Sequence, residues 1–176
     1  MGYYIQNNEK MFDGIRRIAF EQTDLAIEYL SDKKDIHESV HEARKTFKRL
    51  RALLRLVRDN MGREAYQFEN QFYRDAGREL AALRDITSLM EALDRLLERK
   101  PEQKLDEAIN SYKEKLDDER EQLADAFERE RRLESVKSNL QIAQKRIPEW
   151  EFHTDESLVF RKSLTRVYGR GRNAMD

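Results

Sequence analysis

The chain has 176 residues, of which 39% are charged and 39% hydrophobic, with only six glycines and two prolines. That length suits one domain with a real core, and so few breakers among so many helix-favouring residues argue for long helices and against a β-sandwich or barrel. Net charge is −1 and cysteine is absent, which excludes an overall pull on anions, disulfides, thiolate nucleophiles and Cys-type metal sites.

Apolar spacing predicts five or six helices. The first covers about 8–31, with Ile15, Ile18 or Ala19, Gln22, Leu25 or Ala26, and Tyr29 on one face. The second carries the clearest pattern: Ile36, Val40, Ala43, Phe47, Leu50, Leu54, Val57 and Met61 recur three or four residues apart, and Gly62 is a natural stop. A third stretch over 63–100 holds Phe72, Ala76, Leu80, Leu83, Thr87, Met90 and Leu97 and closes at Pro101. It is long for one globular helix, so a bend is expected near Gly77 or at Arg84-Asp85. An acidic fourth helix covers about 103–132, and a fifth, marked by Val136, Leu140, Ala143 and Ile147, ends near Arg146. Pro148 to Thr154 reads as a loop, after which Thr154 or Asp155 caps a last helix holding Leu158, Leu164 and Tyr168. The expected fold is all-α, an antiparallel four-helix-bundle-like single domain over residues 1–176. No apolar run is long enough to span a bilayer and no signal-peptide layout opens the chain, so a cytoplasmic protein without membrane contact is expected.

Charge is sorted along the chain. Arg44 to Arg58 contains seven basic residues and no acidic one, and Leu158 to Arg172 five against none. Glu102 to Glu134 holds twelve acidic residues against seven basic. On the second helix His41, Arg44, Lys48, Arg51, Arg55 and Arg58 follow one another at intervals of three or four, forming a cationic ridge about 25 Å long beside the apolar one. Stacked like charges destabilise a helix by a few tenths of a kcal/mol per pair, so something must offset them. Either the acidic fourth helix neutralises the ridge, giving a structural or protein-interaction bundle, or a polyanion does, since guanidinium forks suit multiple phosphates. Aromatic residues are not interleaved with the cations, so nucleic-acid binding by base stacking is disfavoured.

His37-Glu38-Ser39-Val40-His41 fits H-E-x-x-H, in which two histidines one turn apart bind zinc. No third ligand follows at a suitable spacing, His153 lies far away, and Arg44, Lys45, Lys48 and Arg49 oppose a dication. A metalloprotease is therefore not expected, and neither is any metal, cofactor or other catalytic arrangement.

The stretch Val40-His-Glu-Ala-Arg-Lys-Thr-Phe-Lys-Arg-Leu-Arg-Ala-Leu-Leu-Arg55 resembles the signature of CHAD (conserved histidine α-helical) domains. There a histidine is followed by an arginine three residues on and by a basic cluster entering an apolar helix; His41, Arg44, Lys48, Arg49 and Arg51 stand at those places. Leu80-Ala-Ala-Leu-Arg-Asp-Ile86 is similar to the family's second element, through Arg84 and Asp85. Leu164-Thr-Arg-Val-Tyr-Gly-Arg-Gly-Arg-Asn-Ala-Met175 is similar to a third, Y-x-x-G-R-x-A-M, through Tyr168, Gly171 and Arg172. The resemblance implies two pseudo-symmetric four-helix halves around a basic channel that binds inorganic polyphosphate, often on cytoplasmic granules, without catalysis by the domain. This chain stops where the second half would begin, so it is expected to be a fragment, or a half-length member that completes the channel as a homodimer. The implied ligand ladder is Arg44, Lys48, Arg51, Arg55 and Arg58, flanked by Lys45 and Arg49, with His41 donating a hydrogen bond. Arg84 would reach the ligand or pair with Asp85, and Arg166, Tyr168, Arg170 and Arg172 would form a second wall.

Overall fold

The computed structural model describes residues 3–32, 34–99 and 103–153, together with 164–166, 168, 169 and 172. Six α-helices follow in order: α1 (Met11–Ser31), α2 (Ile36–Val57), α3 (Arg63–Glu79), α4 (Ala81–Arg99), α5 (Gln103–Arg129) and α6 (Arg132–Arg146), with a 3-10 turn at Ile147–Glu149. Among the described residues there is no strand, so the all-α expectation holds. None of their helices is long and apolar enough to cross a membrane.

Boundaries follow from local chemistry at most joints. Asp35 opens α2 by accepting hydrogen bonds from the amides of His37 and Glu38 at 2.9 and 3.1 Å, which satisfies donors that a helix start leaves open. Gly62, at φ 81°, turns the chain from α2 into α3. Arg131 takes a left-handed φ of 52° between α5 and α6, and Pro148 ends α6 in the 3-10 turn. The first helix begins at Met11 and not near residue 8, because the segment before it folds back over α1. There Glu9 accepts hydrogen bonds from Arg17 and from the Gln6 amide, and Arg17 holds its carboxyl down at about 2. Gly14 makes room for that segment, since a Cβ there would stand 2.7 Å from the Glu9 carboxylate and 2.8 Å from Ile5.

The break in the long third stretch comes at Leu80, between the two sites expected from sequence. Leu80 is fully buried, and the Arg44 side chain of α2 donates to the carbonyl of Gly77 in the last turn of α3. A guanidinium on a helix C-terminus satisfies an orphan carbonyl and complements the helix dipole. A tertiary contact, and not a local breaker, therefore helps end α3.

The core is built around α2. Val40, Ala43, Phe47, Leu50, Leu54, Val57 and Met61 are all buried, as their spacing requires, and Ile36 packs against their edge. On one side α2 meets α1 through Ile15, Ile18, Ala19 and Ala26, and α6 packs on α1 through Val136, Leu140 and Ala143. On the other side it meets α3, whose Tyr73 is fully buried and donates to or accepts from Thr23 Oγ1 at 3.1 Å. Each such large side chain contributes about 1.5–3 kcal/mol through burial. The acidic α5 packs on α4 and α6. Lys113 of α5 pairs with Asp94 of α4 along the first of these contacts. The expected loop after Pro148 turns its tryptophan inward: Trp150 is buried, its carbonyl accepts two hydrogen bonds from Arg16, and Phe152 stacks on Phe12. The start of the expected last helix lies outside the described residues, and 164–166, 168, 169 and 172 are helical.

Candidate anion-binding groove

The apolar stripe of α2 points into the core, so the stripe one position further round emerges along the seam between α2 and α3. A groove of about 300 Å³ runs there, floored by Phe47, Tyr73, Gly77 and Ala81. Its walls are Arg44, Lys48 and Arg51 from α2 and Arg74 and Arg78 from α3, and no carboxylate lines it among the described residues. Arg74 and Arg78 were not singled out from sequence. They sit at i and i+4, each one residue past a buried or floor position (Tyr73, Gly77), which is the signal that could have found them.

Individual cations differ in how far they are satisfied. Lys48 and Arg55 are exposed and have no hydrogen-bond or ion-pair partner among the described residues. Among the described residues Arg51 donates only to the neutral Asn70 side chain, at 3.2 Å. Burial, followed by the charges of Arg55 and Arg74, lowers its guanidinium below its ordinary value, so like charges do converge on it. Burial likewise lowers Arg44, with Asp85 opposing that shift and Arg84 adding to it. Outside the groove, Asp75 pairs with both Arg74 and Arg78, at 3.1 and 3.6 Å, and hydrogen bonding from Arg74 lowers its carboxyl. Phe47 and Tyr73 are too deeply buried to serve as stacking platforms for bases.

The two ends of the stripe are occupied by carboxylates. At the start of α2, Arg84 donates through two nitrogens to the two oxygens of Glu91, at 3.1 and 3.2 Å, so its partner is Glu91 and not Asp85. His41 adds its field to that of Arg84 on Glu91, which lowers the Glu91 carboxyl below its usual range, the Arg84 hydrogen bond being the main cause. At the far end Arg58 approaches Asp59 at 3.8 Å and lies over the Tyr66 ring, while Arg166 also pairs with Asp59. Arg166 thus reaches the stripe from the C-terminal segment. Tyr168 and Arg172 are exposed, and Arg170 lies outside the described residues. Lys45 pairs with Glu42 on its own helix, and Arg49 turns towards α1, where it reaches Gln22 at 3.5 Å. These two leave the groove to the others.

The acidic helix does not neutralise the stripe: among the described residues no ion pair joins an α5 carboxylate to an α2 cation. What α5 does face is His37. Burial lowers that imidazole, Arg120 reinforces the shift, and Asp35 and Asp117 oppose it. Among the described residues no group of three or more His, Asp or Glu is placed to hold a metal ion, so H-E-x-x-H gathers no third ligand there.

A second charged cluster sets a contrast. Glu69, only 4% exposed, accepts two hydrogen bonds from Arg146 at 3.0 and 3.1 Å and one from the Trp150 indole at 3.4 Å. Phe68 and Phe72 hold the same guanidinium within about 5 Å of their ring centres. This pair joins α3 to α6, and sequence reading had given none of its members a role.

No curated protein and no solved structure matches the chain. The family model described as CHAD domain matches residues 18–176, which takes in α2 with its stripe, the Arg84-Asp85 pair and the C-terminal Tyr168 segment. The chain belongs to the CHAD domain family, a family associated with polyphosphate binding in general.

Proposed function

We propose that the protein binds inorganic polyphosphate along the α2–α3 groove and does so without catalysis. The observation that carries this reading is a groove with five cations in its walls and no carboxylate in its lining among the described residues. Among the described residues Lys48 in its wall and Arg55 one turn beyond Arg51 on α2 lack partners, and Arg51 has only a neutral one. Separately held guanidinium and ammonium groups suit a chain of phosphates, each taking one or two charge-assisted hydrogen bonds. Affinity then arises from summed ion pairs and release of counterions, and it falls steeply as salt rises. The ligand and its granules are cytoplasmic in this reading, and no cofactor takes part. A second copy of the chain that extends the groove as a homodimer would double the mass seen by sedimentation.

The test is retention on immobilised polyphosphate at two ionic strengths. The triple variant Lys48→Glu, Arg51→Glu, Arg74→Glu should bind at least about 100-fold more weakly while keeping its helical circular dichroism. Arg44 is left alone, since it also closes the end of α3. Unchanged retention overturns the reading and leaves the bundle whose charged stripe serves protein contacts. RNA that polyphosphate fails to displace would move it to nucleic acid.

A further inference from the structure

The stripe is open in its middle and plugged at its head. Ala81 lines the groove, and Arg84 stands one turn further along α4; Arg44 lines it from the other side, and His41 stands one turn before it on α2. Carried one turn past Arg44 and Ala81, the line of the two walls therefore reaches a patch made by His41 and Arg84. In that patch the Arg84 guanidinium is already taken, bidentately, by Glu91. A carboxylate there occupies both donors that a phosphate oxygen pair would use. The Arg84 side chain is 17% exposed and Glu91 44%, so the arginine is mostly buried while the carboxylate stands at the solvent edge, where Arg95 also approaches it at 3.9 Å.

We propose that Glu91 is an internal competitor for Arg84 that sets which polyphosphate lengths gain from the head of the groove. This inference rests on the polyphosphate reading of the same site. A short chain is held by Lys48, Arg51, Arg74 and Arg78 alone and never meets Glu91. A long chain runs on past Arg44 and must displace the carboxylate to engage Arg84 and His41. One phosphate is too weak to do so by itself, but a phosphate tethered to others already bound acts at a high effective concentration. Length discrimination follows from that competition without any length-measuring cavity.

The experiment compares wild type, Glu91→Gln and Glu91→Ala for binding tripolyphosphate and a long polyphosphate near 0.15 M salt, where screening confines each charge to about 8 Å. Removing the carboxylate should tighten long-chain binding by about two- to fivefold, the scale of one part-exposed ion pair, and leave tripolyphosphate unchanged. The salt dependence for the long chain should also steepen by about one ion pair, because Arg84 becomes a net new contact. Thermal midpoints measured alongside report whether each variant is folded, and the agreement of two substitutions guards against a local packing effect. Equal gains for both ligands, or no gain for the long one, overturn the inference while leaving the polyphosphate reading intact. Failure of wild type to bind the long chain overturns both.

Discussion

Helix α3 contributes to two arginine clusters that resolve their charge in opposite ways. Arg146, brought by α6, is clamped by the buried Glu69 carboxylate and by two phenylalanine rings. Arg74 and Arg78 instead face Arg44, Lys48 and Arg51 across a seam with no carboxylate in its lining. In the first cluster the counter-charge is buried within the fold; in the second Asp75 meets Arg74 and Arg78 from outside the groove, and no carboxylate among the described residues meets Lys48 or Arg51. The difference lies in what faces the cations, because the residue types are the same. Substitutions in the mated cluster should therefore damage stability and spare ligand binding, and those in the open cluster should do the reverse.

The largest expected effect is at the mated pair. Arg146→Met leaves Glu69 buried with only the Trp150 indole for company, and removing one partner of such a pair should cost about 3 kcal/mol. For a chain of this size that lowers the melting temperature by about 6–12 °C. The double variant Arg146→Met, Glu69→Met should recover most of the loss, since two apolar groups of similar volume restore a satisfied interior. Polyphosphate retention of the folded single variant should match wild type. A loss of retention there would erase the contrast between the clusters.

A smaller effect is expected beneath the groove. Tyr73→Phe removes the hydroxyl facing Thr23, which still donates to the Ala19 carbonyl, so about 1 kcal/mol should be lost. Chemical denaturation measures it, and the groove's cations should bind as before, since none of them touches that hydroxyl.

These two clusters also mark how far the sequence could be read. The apolar spacing of α2 named its buried face almost residue by residue, because a helix period and a single core face determine it locally. The cationic ridge was legible for the same reason, and so was its lack of acidic neighbours on the helix. What the ridge faces was not legible. Glu69 and Arg146 are 77 positions apart, and nothing local distinguishes that arginine from Arg74. The acidic α5 looked like a counter-surface by composition, yet it packs on α4 and α6. The break at Leu80 depends likewise on a contact between elements. Local periodicity gives faces, and only packing gives partners.

His37, at the head of α2, should leave its mark on a pH titration of stability. His37 is held neutral by burial and by Arg120, against the opposing fields of Asp35 and Asp117, so its folded pKa lies below the ordinary 6.5. The unfolded chain then binds the proton more readily. This group's contribution is complete above pH 6.5 and is lost as pH falls from there to the folded pKa. Denaturation midpoints should accordingly decline below pH 6.5, and His37→Gln should flatten that part of the curve. A slope that persists in the variant would assign it to other groups.

The smallest expected effect has the opposite sign and bears most directly on the open cluster. Lys48 is exposed between Arg44 and Arg51 with no partner among the described residues, so it adds repulsion to the folded state and nothing visible in return. Lys48→Gln keeps the helix propensity and removes the charge, and it should therefore stabilise the protein by a few tenths of a kcal/mol. The same variant should hold polyphosphate more weakly, with a salt dependence reduced by about one ion pair. A gain in stability coupled to a loss of binding is what a cation kept for a ligand gives. A loss of stability would mean that Lys48 is already neutralised within the fold, and the open cluster would then be a second mated one.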